Sequence, residues 1–282
     1  MNWTERRLTP RMGIALEGVR IDAGLSDAEL QRIRARAHEY GVVLLPDQDL
    51  TDDALYAFAE SIGDILPTPN VAGTSQAKVL HISNLDADGN LLPADDNWVQ
   101  RNRANELWHA DMSFMRPRAS FSMLYARIVT EDGGRTEYCD MRLAWESLSP
   151  KEQARLEPLT ARHTIWTPRL RFGAKFTQEE LEHYPPVERP LVETHGPSGR
   201  KALMVGSAIA SIGDLDEAAT MPFLADLTER ASARENVYSH RWTPGDLVIW
   251  DNHCVLHRAT PYESATQPRD LRAVRLYEPA NI

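Results

Sequence analysis

Asn105-Glu106-Leu107-Trp108-His109-Ala110-Asp111-Met112-Ser113-Phe114 carries an imidazole and a carboxylate two residues apart, framed by apolar and aromatic side chains. In a strand, residues i and i+2 point to the same face, so His109 and Asp111 can grip one metal ion from one side. Trp250-Asp251-Asn252-His253-Cys254-Val255-Leu256-His257, read as closing a strand late in the chain, offers a second imidazole in His257. Two histidines and one carboxylate cover one face of an octahedral ion and leave its other positions open, the arrangement of non-heme Fe(II) sites. Taken alone, an H-x-D pair is equally well explained by an aspartate capping a turn and a histidine packed in a core. His253 shares strand parity with His257 and is a rival ligand.

The 282 residues, 42% of them hydrophobic, can bury a full core, and no repeat or low-complexity linker divides them, so one domain over 1–282 is expected. Cys139 and Cys254 sit in apolar β-like segments, which suits reduced thiols in a cytoplasmic protein better than a disulfide framework. A net charge of −10 with scattered basic residues argues against a nucleic-acid partner, which needs clustered Lys and Arg. Arg6 and Arg7 are followed by Leu8-Thr9-Pro10-Arg11, where a secretory signal needs an apolar run. No apolar stretch reaches membrane-spanning length, so no membrane partner is expected.

Ser26-Asp27-Ala28-Glu29 has the form of a capping box, and Leu30, Ile33 and Ala37 follow at helical spacing, predicting a helix over 27–40 that Gly41 ends. Val42 to Leu45 reads as a buried strand, and Thr51 caps a second helix with Leu55, Phe58 and Ile62 inward, up to Gly63. A loop is expected from Pro67 to Thr74 and a strand from Val79 to Ser83. Asp86 to Asn90 lacks the glycine position and bidentate glutamate of a calcium loop and reads as a hairpin turn. Polar residues 90–104 suit an active-site flap or a plain surface loop. Phe121 to Val129 is a long apolar strand, Asp132-Gly133-Gly134 a tight turn, and Thr136 to Cys139 its expected return. Short helices are predicted at Leu143 to Leu148 and Pro150 to Leu156, a hairpin joins Pro190–His195 to Lys201–Val205, and 215–234 is helical. Strands follow at Val237–Trp242, Leu247–Trp250 and Arg269–Tyr277. Helices cluster early and strands late, which predicts an α+β chain built on an antiparallel sandwich.

Leu107-Trp108-His109-Ala110-Asp111, Gly133-Gly134-Arg135-Thr136, and Trp242-Thr243-Pro244-Gly245-Asp246 running to Asn252 ahead of His257 together resemble the taurine dioxygenase family of Fe(II)/2-oxoglutarate-dependent enzymes, over nearly the whole chain. His81-Ile82-Ser83-Asn84, Glu137 to Arg142 and His195 to Lys201 are most similar to the branch that cleaves 2,4-dichlorophenoxyacetate and related aryloxyalkanoates. The resemblance implies a double-stranded β-helix, or jelly roll, of antiparallel strands with flanking helices. It implies Fe(II) on His109, Asp111 and His257 at the open mouth, 2-oxoglutarate and O2 as cosubstrates, and a homo-oligomer. The far carboxylate of 2-oxoglutarate needs a cation, best a bidentate arginine in a desolvated pocket. Arg269, twelve positions after His257, stands where the family has that arginine, and Thr136 matches its hydroxyl donor. In isolation an arginine there makes a surface salt bridge and the threonine is an ordinary strand residue.

Period-2 geometry puts 269, 271, 273 and 275 on one face of the last strand and Arg272 on the other, so Arg275 can join Arg269 in the pocket. The herbicide-cleaving relatives hold the substrate carboxylate with an arginine four residues after the cosubstrate arginine; here that position is Ala273, and Arg275 is the replacement candidate. The branch also tends to carry a histidine after the glycine matching Gly206, where this chain has Ser207-Ala208-Ile209. Asn105 matches a substrate-contacting position in taurine dioxygenase, and a loop-capping role suits it as well. Trp108 and Trp250 are expected to wall the core beside the metal; His81, His163, His195 and His240 receive no role. The substrate expected is an anionic aryloxyalkanoate. An alkyl sulfonate or sulfate ester, or a non-catalytic jelly-roll binding module, are the alternatives.

Overall fold

Ser26 and Glu29 exchange the two hydrogen bonds of a capping box at the head of the helix Asp27–Tyr40 in this computed structural model, which describes residues 3–67, 78–93, 95–173, 175–215 and 217–277. Gly41, at φ +77°, ends that helix, and a Cβ there would lie 2.9 Å from a Val255 methyl, so only glycine lets the chain turn into Val42–Leu45. Thr51 accepts a hydrogen bond from Ala54 N–H at the start of Asp52–Ile62, whose Leu55, Phe58, Ala59 and Ile62 are buried.

Both helices cover one face of a large sheet. Its strands run Thr4–Arg7, Ile14–Glu17, Val42–Leu45, Leu247–Asp251, Phe121–Ile128, Asp270–Tyr277, with Asp64–Ile65 and Leu80–Ser83 both pairing with the outer edge of the last. Ile14–Glu17 and Val42–Leu45 pair in parallel, and the other neighbours are antiparallel. Alternation along the strands gives the sheet two apolar faces. Val43, Leu45, Ile249, Met123 and Val274 pack under the helices, whereas Val42, Leu44, Val248, Trp250, Leu124 and Leu271 face the second sheet. That second sheet is Val237–His240, Thr136–Asp140 and Val255–Ala259, all antiparallel. A smaller sheet of Ile209–Ile212, Thr160–His163 and Val187–Pro190 and the hairpin of Val192–Thr194 with Lys201–Leu203 complete a mixed architecture of sheets with flanking helices.

Three expectations need correction. Thr136–Asp140 does not return along Phe121–Ile128; the two lie in different sheets. Gly133 and Gly134 both have left-handed φ, and a Cβ on Gly133 would sit 2.4 Å from the Pro261 carbonyl oxygen, so the turn packs onto residues 260–262 and carries the chain across to the opposite sheet. The stretch ending in His257 is two strands, not one: Asn252 to Cys254 turn the chain from the large sheet into Val255–Ala259, leaving His257 mid-strand. Within 90–104, Asp96 caps a helix, Asn97–Asn102, that runs into a 3-10 turn, Arg103–Glu106, in place of a plain surface loop.

The loop expected over Pro67–Thr74 falls, apart from Pro67, outside the described residues. Among the described residues no helix is long and apolar enough to cross a membrane. Cys139 and Cys254 are buried and unbridged.

Candidate active site

His109 and His257 are held by each other's backbone. His109 N–H donates to His257 O at 3.0 Å and His257 N–H to His109 O at 2.9 Å, a single antiparallel bridge. The H-x-D segment is therefore not a strand: past His109 the chain enters a turn at Asp111, and Met112 takes φ +52°. One bridge suffices to bring the pair to bear on His257.

Asp111 is fixed from below. Its N–H donates to Asn252 Oδ1 at 3.0 Å, Trp250 Nε1 donates to the same oxygen at 3.1 Å, Asn252 Nδ2 donates to Ser122 Oγ at 2.9 Å, and the Ser122 hydroxyl donates to Asp111 Oδ2 at 2.7 Å. Every polar atom of this relay has a partner, so the carboxylate is oriented before any ligand arrives. Ser122 and Asn252 were missed as positioning groups, and the available signal was a lone hydroxyl in an apolar strand and an amide directly after Trp250-Asp251.

One ligand atom from each of His109, Asp111 and His257 lies within 4.8 Å of the others. His109 Nε2 is 4.0 Å from Asp111 Oδ1, His257 Nε2 is 3.8 Å from Asp111 Oδ2, and the imidazole centroids are 4.2 Å apart. His109 Nδ1 lies 2.7 Å from the Leu107 carbonyl oxygen, which only accepts, so Nδ1 carries the proton and Nε2 presents its lone pair. Burial pushes both imidazoles below the ordinary histidine range, and His257 is lowered further by His109 and Arg275. Burial alone would raise Asp111; Arg275, His257 and His109 outweigh it and hold the carboxyl below the usual range. The set is two neutral imidazoles and one anion, suited to a divalent cation.

His253 is turned away from this set. Its Nδ1 accepts from Arg118 at 2.6 Å and its Nε2 lies 3.3 Å from Ser120 Oγ. A second acid–imidazole group, His38, His195 and Asp251, is a hydrogen-bonded knot: Asp251 Oδ2 accepts from His38 Nδ1 at 2.7 Å and His195 Nε2 at 2.9 Å, and Oδ1 accepts His253 N–H at 2.8 Å. It pins the crossing between the sheets. Of the other unassigned histidines, His81 pairs with Asp52, His240 sits between Tyr238 and Asp246, and His163 is buried with no hydrogen-bond partner for its ring among the described residues.

A cavity of about 460 Å³ opens onto the three clustered residues. Arg269, Leu271, Ala273 and Arg275 all line it, despite a register shift between Asp270 and Leu271, while Arg272 faces the other way onto Asp52, at 3.0 Å, and Asp270. The expected parity holds. Arg269 donates through Nε and Nη2 to the Gly134 carbonyl at 3.2 and 3.1 Å and lies over the Tyr262 ring, with no carboxylate in ion-pair reach among the described residues. Burial lowers its pKa, since the guanidinium is desolvated with no anion beside it. Thr136 lines the cavity, and its Oγ1 accepts Trp242 Nε1 at 3.1 Å. Trp250 lines this cavity with its ring 4.5 Å from that of His257, while Trp108 lies under the Arg258 guanidinium. Arg275 Nε reaches Asp111 Oδ1 at 3.1 Å.

A second cavity, about 100 Å³, shares Asn105, His109, Asp111 and Arg275 with the first and is walled by Phe114, Ile165 and Pro168. It contains Arg169, on the short helix Trp166–Leu170, a residue that the sequence did not single out.

The sequence profile described as taurine catabolism dioxygenase TauD, TfdA family matches residues 4–277. The chain is 37% identical over 281 residues to an alpha-ketoglutarate-dependent 2,4-dichlorophenoxyacetate dioxygenase of Cupriavidus pinatubonensis, covering 98% of each. It is 34% identical over 271 residues to an (S)-phenoxypropionate/alpha-ketoglutarate-dioxygenase of Sphingobium herbicidovorans, covering 93% of this chain and 90% of that one. Its fold superposes on the crystal structure of AAD-2 in complex with Mn(II) and N-oxalylglycine with a TM-score of 0.93 at 33% identity, covering 99% of both chains. With a profile match over almost its whole length and relatives of this identity, the chain belongs to the taurine catabolism dioxygenase TauD, TfdA family.

Proposed function

We propose that this chain is an Fe(II)- and 2-oxoglutarate-dependent dioxygenase acting on an aryloxyalkanoate. The observation that carries this reading is one cavity holding both the His109–Asp111–His257 cluster and Arg269, a buried guanidinium without an anion. A metal fits the cluster on its own terms: the imidazoles are neutral, the His109 tautomer presents Nε2, and the carboxylate is pre-oriented by Ser122 and Asn252. The facing sheets suit a double-stranded β-helix, read here as one domain over 1–282.

In this reading His109, Asp111 and His257 hold Fe(II). Arg269 supplies the cation for the far carboxylate of 2-oxoglutarate, and Thr136 adds a hydroxyl hydrogen bond. Arg275 and Asn105 face the substrate acid. With O2, Fe(II) and 2-oxoglutarate supply the oxidation that splits the ether into a phenol and a 2-oxo acid, with succinate and CO2 as coproducts. The chain's own part is electrostatic and geometric: cations at separate points of one cavity fix two acids relative to the metal ligands, and the apolar inner face of the sheet limits water.

The test is turnover. Purified protein given Fe(II), O2 and 2-oxoglutarate should release succinate and a phenol from phenoxyacetates or phenoxypropionates. Absence of turnover across a broad acid panel, with neither metal nor 2-oxoglutarate bound, overturns the reading; sulfite or sulfate release in place of phenol moves it to a sulfonate or sulfate ester.

A further inference from the structure

We infer that Arg169 is a substrate-binding residue, forming with Arg275 and Ser207 an anion subsite for the carboxylate of the acid substrate and supplying the cation that Ala273 lacks. This inference rests on the function proposed above and names the residues of the same site that would select its substrate.

Arg169 Nη1 donates to the carbonyl of Ile165, one turn back in its own helix, at 2.8 Å, and no carboxylate lies in ion-pair reach of it among the described residues. The charges that act on it are Arg275 and Arg101, of its own sign, and Asp111, of the opposite sign. Burial first, then Arg275 and Arg101, bring its pKa down to about 10. Arg169 and Arg275 both line the smaller cavity, where Asp111 is the one carboxylate among the described lining residues, and Asp111 belongs to the metal set and already faces Arg275 at 3.1 Å. Enclosed positive charge in excess of negative is costly unless an anion enters.

Ser207 adds an independent observation. It lines the same cavity, and its Oγ is buried with no hydrogen-bond partner among the described residues. Its backbone is fixed, because Ser207 N–H donates to the Trp108 carbonyl at 2.8 Å, so the hydroxyl is tied to the segment carrying His109. A buried hydroxyl and a guanidinium without a carboxylate, on different elements and aimed into one cavity, are the donor set a carboxylate requires. Leu80, Ile82, Phe114, Ile165 and Pro168 supply apolar walls beside these donors, the surroundings an aryl group needs.

The subsite also accounts for the two departures noted in the sequence. Where Ala273 leaves its place on the strand face of the larger cavity without a guanidinium, Arg169 brings one to the smaller cavity, which shares Arg275 with it; where the similar enzymes carry a histidine, Ser207 is a smaller side chain and leaves room.

The experiment uses the full chain loaded with Mn(II) and 2-oxoglutarate, which permits calorimetric titration without turnover, and probes it with 2,4-dichlorophenoxyacetate and its neutral amide. Arg169→Met should weaken the acid by about 10- to 100-fold and the amide by less than about threefold, leaving 2-oxoglutarate affinity unchanged. Ser207→Ala should weaken the acid by several-fold. Arg169→Lys should recover part of the acid-over-amide preference, which a purely structural role would leave unaltered. If Arg169→Met fails to fold, Arg169→Gln against Arg169→Lys decides on the same preference. A folded Arg169→Met or Arg169→Gln that prefers acid over amide as strongly as the wild type overturns the subsite alone. A wild-type chain that binds none of the acids overturns the proposed function and the subsite together.

Discussion

Arg275 Nε lies 3.1 Å from Asp111 Oδ1, so a candidate substrate cation rests on a candidate metal ligand. The contact makes the two halves of the site interdependent: an acid that draws Arg275 toward itself takes positive charge away from the carboxylate and leaves Asp111 freer to bind a cation. Arg275→Ala should therefore raise the KM for the acid by about 10- to 100-fold while leaving Mn(II) affinity unchanged or tighter. Metal titration beside substrate kinetics checks both arms, and a variant that loses the metal but keeps the acid would reverse the assignment.

Asp111→Ala should leave a two-histidine site with weak metal binding and no turnover, because the anion offsets much of the ion's charge. Asn252→Ala should weaken metal binding by about 10- to 100-fold, since it strips Asp111 N–H and Ser122 of their partner without touching a ligand atom. Near-normal activity in the first variant would move the metal elsewhere.

Arg269→Ala removes a charge-assisted pair from a desolvated pocket and should cost 2-oxoglutarate binding on the order of 2 to 5 kcal/mol. Arg272→Ala should leave both acids within a few-fold. It should instead lower stability by roughly 3 kcal/mol, because buried Asp270 loses its ion pair. Titration of the metal–2-oxoglutarate absorbance and urea unfolding of each variant separate the two effects. The reverse pattern would mean that the strand register is off by one residue.

His163 is buried with neither ring nitrogen hydrogen-bonded among the described residues, and burial, reinforced by Arg189 and Arg118, pushes its pKa down to about 3. The unfolded chain binds that proton near pH 6.5 and the folded chain does not, so stability falls as pH drops from about 6.5 toward the folded value. By about pH 5 the cost is on the order of 2 kcal/mol. His163→Leu should be at least as stable near neutrality and lose less on acidification, measured by denaturant unfolding at about pH 7.5 and about pH 5. An unchanged acid slope would show that His163 does not resist protonation.

The helices were legible because their signals are local: Ser26 and Thr51 cap within three residues, and Leu55, Phe58 and Ile62 follow the helical period. The parity of Arg269, Arg272 and Arg275 was legible because strand geometry repeats every two residues, and it survived a bulge. The sheet that Thr136–Asp140 joins was not, since that depends on Gly133 packing against Pro261, more than a hundred residues away. The same distance hid the Ser122–Asn252 support of Asp111. Arg169 lies on a five-residue helix, Trp166–Leu170, whose N-cap makes no side-chain hydrogen bond, so no local signal marks it, and its importance comes from what faces it across the cavity.

The row Arg269, Leu271, Ala273, Arg275 points into the cavity at a step of about 6 to 7 Å. Leu271, Ala273 and Arg275 are each a place where a guanidinium can be gained or lost without altering the candidate metal ligands, which come from other segments, or Arg269 at the head of the row. Substrate choice in such a scaffold can change by single-codon steps along one edge of the pocket while the oxidising machinery is inherited intact.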